Sequence, residues 1–271
     1  MPKVRIATAV VLLSAFVLDI FYASLEVFAL VLGLIAAASA WEWSRLAGVR
    51  NEHLQTAYGA LIGLLALICL YLPQSEWFIR WTMLAGMLFW LSVPAVFYLV
   101  PVLPPIRRPD VTLLCLGAAL FVIAALAMQY LHSQAPHASP LLLLHALAIV
   151  WLMDIGAYAA GRRFGRRKLA PLISPGKTWE GVYGGALVTL AALVVLLIVV
   201  DWPSGDEVRI ALATIVSAGF SVIGDLYESR VKRAAERKDS SSLLPGHGGV
   251  LDRIDGVLAA VPLFAFVWAW T

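Results

Sequence analysis

Residues 229–255 read SRVKRAAERKDSSSLLPGHGGVLDRID. The block holds six of the chain's twenty Lys and Arg residues, four carboxylates and one histidine. It lies between two strongly apolar segments, 208–228 and 249–270. Each is close to the roughly 20 residues that cross a bilayer as a helix. No soluble core accounts for a charged block framed in this way. The flanking segments are therefore read as membrane spans, and the block as a working site held at a membrane face.

Moving outward, the same pattern recurs. Apolar residues make up 61% of the 271 and charged residues 14%, with a mean hydropathy of +0.86. A soluble domain carries roughly 25% charged residues. Candidate spans fall at about 6–22, 25–41, 56–73, 80–100, 111–131, 139–160, 180–200, 208–228 and 249–270. The expected class is an all-α polytopic membrane protein of about nine spans. A single membrane domain over 1–271 is expected, with N-terminal helices in 1–140 and catalytic helices with polar loops in 141–271. The alternating strands of a membrane barrel are absent. The first apolar run has no small-residue cleavage site before a polar start, so it is read as a retained span.

Nine spans with a cytoplasmic N-terminus put the C-terminus outside. Eighteen of the twenty basic residues then fall on the cytoplasmic side, leaving only Arg80 and Arg209 outside. That bias is what the positive-inside rule expects. Trp41, Trp43, Trp77, Trp81, Trp268 and Trp270 stand at span ends, where indoles favour the headgroup level. Glu42 is read there as an interfacial residue. His132 and His137 are expected to be solvated in an external loop, and His145 to make a hydrogen bond between helices. Cys69 and Cys115, inside apolar runs, are expected to act as small buried hydrophobes.

Three stretches carry chemistry. On a helix, Asp225, Ser229, Lys232 and Glu236 fall at i, i+4, i+7 and i+11 on one face, with Arg233 beside them. Such a stripe can hold a metal at one end and phosphates at the other; it is also readable as a solvated juxtamembrane helix. Next, 238–249 (KDSSSLLPGHGG) cannot form a regular helix and exposes backbone N–H groups that can cradle phosphate oxygens. Gly248 and Gly249 lead into the last span, and His247 is either a substrate contact or structural. Asp252 and Asp255 then fall at i, i+3 and, with Asp225, could attract a divalent cation. The alternative is Asp–Arg pairing at a helix start. The third stretch is 151–185. Asp154, Tyr158 and Arg162 form one polar stripe, and Gly156 to Gly161 would let helices approach closely. Ser174-Pro-Gly-Lys177-Thr178 is read as a turn before span seven, with Glu180 following. It lacks the Gly-x4-Gly-Lys pattern of a nucleotide-binding P-loop. The basic run around it is also readable as a lipid anchor.

The residues Ser229-x-x-Lys232-Arg233-x4-Lys238-Asp239-x4-Leu244-Pro245-x-His247-Gly248-Gly249-x-x-Asp252-Arg253-x-Asp255 resemble the signature of the phosphatidate cytidylyltransferases. Asp154-x-Gly-Ala-Tyr158, the Gly-Arg-x-Phe-Gly run, Ile173-Ser-Pro-x-Lys177-Thr-x-Glu180-Gly and Trp41-Glu42-Trp43 are similar to that family as well. The resemblance is strongest from residue 150 onward. It implies transfer of CMP from CTP to phosphatidate, giving CDP-diacylglycerol and pyrophosphate. It implies Asp225, Asp252 and Asp255 around Mg²⁺, with Ser229 nearby and a second cation kept open. Lys177, Lys232, Arg233 and Lys238 would meet CTP or lipid phosphates. Ser174, Asp154, Asp239, Gly248, Gly249 and Arg253 join the substrate-binding set. His247 stands with the catalytic candidates, though not as a general base, because a phosphate nucleophile is already an anion. The implied setting is a bacterial inner membrane with the site toward the cytoplasm, a homodimer, and no nucleic-acid partner. The rival readings are a CTP-dependent lipid kinase or other lipid nucleotidyltransferase and, less favoured, a transporter of an anion. A transporter needs charges at the bilayer midplane across several spans. Here they gather at one edge of the last four.

Overall fold

Hydrocarbon leaves a backbone polar group no partner except the chain itself, so apolar runs of this length must form helices. A computed structural model of the chain has, among its described residues, ten helices and one hairpin in the order α1 (Pro2–Tyr22), α2 (Leu25–Leu46), α3 (Glu52–Tyr71), α4 (Glu76–Leu99), α5 (Val111–His132), α6 (Ser139–Phe164), β1 (Lys168–Ala170), β2 (Ser174–Thr178), α7 (Trp179–Val199), α8 (Asp206–Ala234), α9 (Leu251–Ile254) and α10 (Val257–Trp270). It describes residues 2–72, 74–134, 139–202, 205–244, 246 and 248–270. His137 and His247 lie outside the described residues. Among the described residues, eight segments are long and apolar enough to cross a membrane, α9 and α10 together forming the last. The apolar stretch Leu13–Tyr22 of α1 adds a shorter one. The chain is an all-α polytopic membrane protein, apart from the short hairpin.

Polar residues start the helices. Ser24, Asn51, Asp110 and Thr178 each accept a hydrogen bond from a backbone N–H in the first turn of α2, α3, α5 and α7. A cap of this kind contributes about 1 kcal/mol. Each sits just before an apolar run, so it also marks where the span begins.

The chain divides into two units that interleave in sequence: 1–75 with 103–144 and 231–254, and 76–102 with 145–230 and 255–271. In the first, α2, α3 and α5 pack on one another around Phe28, Leu32, Trp43, Leu46 and Leu126. The Trp43 indole N–H donates to the Leu113 carbonyl at 2.7 Å and meets Phe121 edge-on. His132 is not solvated as expected: its ring stacks on Phe28 at 4.3 Å and its Nε2 lies 3.0 Å from the Ile20 carbonyl. In the second unit, α4 packs on α10, and the Trp90 indole donates to the Leu258 carbonyl at 3.0 Å. His145 makes the expected interhelical bond, its Nε2 2.8 Å from Thr214 Oγ1. Close α6–α7 packing also holds: a Cβ on Gly156 would lie 2.8 Å from the Gly184 carbonyl oxygen.

Three local expectations change. Ser174–Thr178 is a strand paired antiparallel with β1, with Lys168 opposite Thr178, rather than a bare turn. Short strands leave little period-two pattern, and the Pro-Gly pair masked this one. Cys115 is exposed on α5 and Cys69 is partly exposed, so neither is a buried core residue. Helix α8 carries Asp225, Ser229 and Lys232 as one continuous helix, as expected, but it ends at Ala234, so Glu236 does not share the helical face.

Candidate functional site

Two polar clusters form, one in each unit. In the first unit, Lys232 near the end of α8 is only 8% exposed. Its ammonium donates to Asp252 Oδ1 at 2.7 Å. The other donors to Asp252 come from the loop 238–250. Ser240 N and Oγ each approach Oδ2 at 3.0 Å, and Gly249 N donates to it at 2.8 Å. A carboxylate offers about four lone-pair sites, so the oxygens of Asp252 are fully engaged.

The described residues of this loop are not helical, as its serines and glycines predict. Leu244 and Gly248 form an isolated antiparallel bridge, and Gly248 adopts φ +85°, which glycine alone takes without strain. A Cβ on Gly249 would fall on Ser240 Oγ and on the carboxylate of Glu42. These two glycines therefore serve a close turn around two carboxylates. Lys238 and Asp239 are exposed at the loop's start, and Arg253 is exposed on α9. Arg233 is exposed, with its guanidinium 3.4 Å from the Arg237 carbonyl.

Glu42 is the residue that sequence reasoning misplaced. It is fully buried, not interfacial. Its carboxylate accepts from Ser241 Oγ at 2.5 Å, Ser240 Oγ at 3.1 Å, Val250 N at 3.0 Å and Leu251 N at 2.7 Å. Glu42 thus ties the polar loop and the first turn of α9 to the end of α2. A signal was present: an acid at the end of an apolar span is costly unless donors surround it. The flanking tryptophans pointed to the headgroups instead.

In the second unit, the hairpin delivers Lys177 to α8. Its ammonium pairs with Asp225, whose other oxygen accepts from Ser229 Oγ at 3.2 Å. Both partners of the pair are a quarter exposed. Gly224, beside Asp225, packs against the backbone of Asp255, whose carbonyl oxygen would lie 2.5 Å from a Cβ there. The Asp255 carboxylate accepts from Gly256 N at 2.7 Å. The base of the hairpin is clamped by Glu180, which accepts from Arg166 N at 3.0 Å and Arg167 N at 3.1 Å. The Arg167 side chain donates to it at 3.2 Å, and that hydrogen bond raises the pKa of the guanidinium. Ser174 is partly exposed on β2. Asp154 is exposed on α6, where Arg162 donates to the Tyr158 hydroxyl at 3.0 Å.

Among the described residues no group of three or more His, Cys, Asp or Glu side chains is arranged to hold a metal ion. Of the three aspartates, Asp225 best fits a hard cation. It is a quarter exposed, and its contacts with Lys177 and Ser229 leave oxygen lone pairs. Asp252, saturated by donors, does not fit in this arrangement.

These features define a class: a polytopic helical membrane protein with two polar clusters, one in each unit. The profile of the cytidylyltransferase family matches residues 3–270. The phosphatidate cytidylyltransferase of Pseudomonas aeruginosa is 38% identical over 270 residues, covering 99% of this chain and 98% of its own. That of Haemophilus influenzae is 34% identical over 294 residues, covering 99% of each. That of Staphylococcus haemolyticus is 34% identical over 268 residues, covering 96% of each. The chain belongs to the phosphatidate cytidylyltransferase family and is a membrane nucleotidyltransferase.

Proposed function

We propose that the chain transfers the cytidylyl group of CTP to phosphatidate. A phosphate oxygen of phosphatidate attacks the α-phosphorus of CTP and forms the new P–O bond. The bond from that phosphorus to the β-phosphate oxygen breaks, and pyrophosphate leaves. The products are CDP-diacylglycerol and pyrophosphate. Full-length membership of the family carries this reading.

Charge neutralisation and positioning dominate such transfers. Lys177, Lys232, Arg233 and Lys238 supply positive charge for the substrate phosphates. Gly248 and Gly249, with Ser174, Asp239, Arg253 and Asp154, complete the substrate contacts. Asp252 holds Lys232, and Asp225 with Ser229 holds Lys177. His247, outside the described residues, is a candidate hydrogen-bond donor to a substrate phosphate. No general base is required, because the nucleophile is an anion. Mg²⁺ would supply Lewis-acid neutralisation of the triphosphate, with Asp225 and Asp255 as the protein ligands and room for a second cation. The enzyme would work in a bacterial inner membrane as a homodimer, with its polar clusters facing the cytoplasm, where CTP is found. The lopsided distribution of Lys and Arg favours that orientation.

The test is turnover by detergent-purified protein with phosphatidate, Mg²⁺ and radiolabelled CTP. Parallel mixtures carry diacylglycerol or a polyprenol instead. Label in a liponucleotide only with phosphatidate is the expected result. Phosphorylation of the alcohol instead would make this a lipid kinase and overturn the assigned acceptor.

A further inference from the structure

The first unit contains a cavity of about 630 Å³ that none of the assigned substrate residues lines. Its walls come from the end of α2, the turn into α3, Ile106 and the residues just past α8. Ligand pockets run from roughly 300 to 1,000 Å³, so its size suits a small charged molecule. Three guanidinium groups line it, from Arg45, Arg50 and Arg237, against two carboxylates, from Glu52 and Glu236.

None of the three arginines forms a salt bridge with an acid among the described residues. Arg45 instead lies over the Trp41 ring at 5.0 Å, and Arg237 is near enough for its charge to bear on it. Their mutual repulsion is partly offset by the Glu42 and Glu52 carboxylates, and an anion between them would relieve the rest. Guanidinium forks match phosphate oxygens in pairs.

The backbone supports the same conclusion. Helix α8 ends with Arg237 N donating to the Lys232 carbonyl at 2.8 Å and Glu236 N donating to the Arg233 carbonyl at 3.0 Å. This closing turn puts its left-handed residue where glycine is usual. Here that residue is Glu236, at φ 57°. A strained backbone position kept on a cavity wall points to use of that wall.

We propose that this cavity binds a phosphate-bearing ligand through Arg45 and Arg237. The phosphate comes either from a soluble nucleotide or pyrophosphate, or from an anionic lipid headgroup. The site is additional to the clusters assigned above, and the proposal rests on the phosphate chemistry of this enzyme.

The test is footprinting of the full wild-type protein with phenylglyoxal, an arginine-selective reagent, read residue by residue by peptide mass spectrometry. The detergent-purified protein is treated alone, with CTP, and with pyrophosphate. Protein in phosphatidylcholine vesicles is treated with and without phosphatidate. Arg45 and Arg237 should react several-fold more slowly in at least one ligand arm, while Arg80 and Arg209 do not change. Protection by CTP or pyrophosphate assigns a soluble ligand; protection only by phosphatidate assigns the headgroup. Equal reactivity in every arm overturns the site. R237Q should raise the ligand concentration that half-protects Arg45 by roughly tenfold. An unmoved midpoint would mean that protection is indirect, and the site would be abandoned. Turnover is measured on the same preparation. Turnover without protection removes only this site, whereas protection without turnover removes only the assigned reaction.

Discussion

The Glu42 carboxylate accepts the backbone N–H of Leu251 at 2.7 Å, joining positions 209 residues apart. Three further donors, all from the polar loop, meet the same side chain. The end of α2 thereby holds the segment that carries Asp252. Glu42→Gln keeps the volume but turns one acceptor into a donor that faces donors. Hydrogen bonds to a charged group contribute about 1.5–3 kcal/mol each. The variant should lose about 2–4 kcal/mol of stability and most of its turnover. Thermal unfolding and CTP turnover in detergent check this; wild-type values in both would show that the buried contacts do not matter.

Asp252→Asn attacks the most enclosed ion pair among the described residues, whose Lys232 and Asp252 side chains are 10% and 6% exposed. Breaking a buried pair from one side costs about 3–5 kcal/mol, because the other charge is left unpaired. Turnover should vanish and the protein should melt earlier. Adding Lys232→Met should recover much of the stability and none of the activity. A double variant no more stable than the single one would argue against this pairing.

Lys177→Met should behave differently. Lys177 and Asp225 are each a quarter exposed, so solvent screening limits their pair to about 1 kcal/mol of stability or less. Activity should nevertheless fall by at least about a hundredfold, since the ammonium is assigned to substrate phosphate. A nearly unchanged melting temperature with lost turnover is the expected signature. Near-normal turnover would remove Lys177 from the substrate contacts.

Gly249→Ala and Gly176→Ala make a matched pair. A Cβ at Gly249 overlaps Ser240 and Glu42, whereas one at Gly176 meets nothing within 4 Å. The first should inactivate and destabilise by about 1–3 kcal/mol, the usual cost of forcing atoms into a filled site. The second should be nearly silent in a turnover assay. Equal tolerance at both positions would count against the packed loop.

The span positions, the chain's class and the signature residues were legible in the sequence, because each rests on local properties. Length and apolarity specify a transmembrane helix whatever surrounds it, and a loop with serines, glycines and a proline resists helix formation on its own. The resemblance to the family also implies roles for Lys177, Asp225, Lys232 and Asp252. Tertiary structure alone decided how they pair: Lys177 with Asp225, and Lys232 with Asp252. It also turned Glu42 from a headgroup residue into a buried anchor, and His132 from a solvated residue into a ring stacked on Phe28. The physical reason is range. Whether a charge is solvated, paired or buried depends on donors brought in from distant segments, and no local pattern around Glu42 encodes Ser240, Val250 or Leu251.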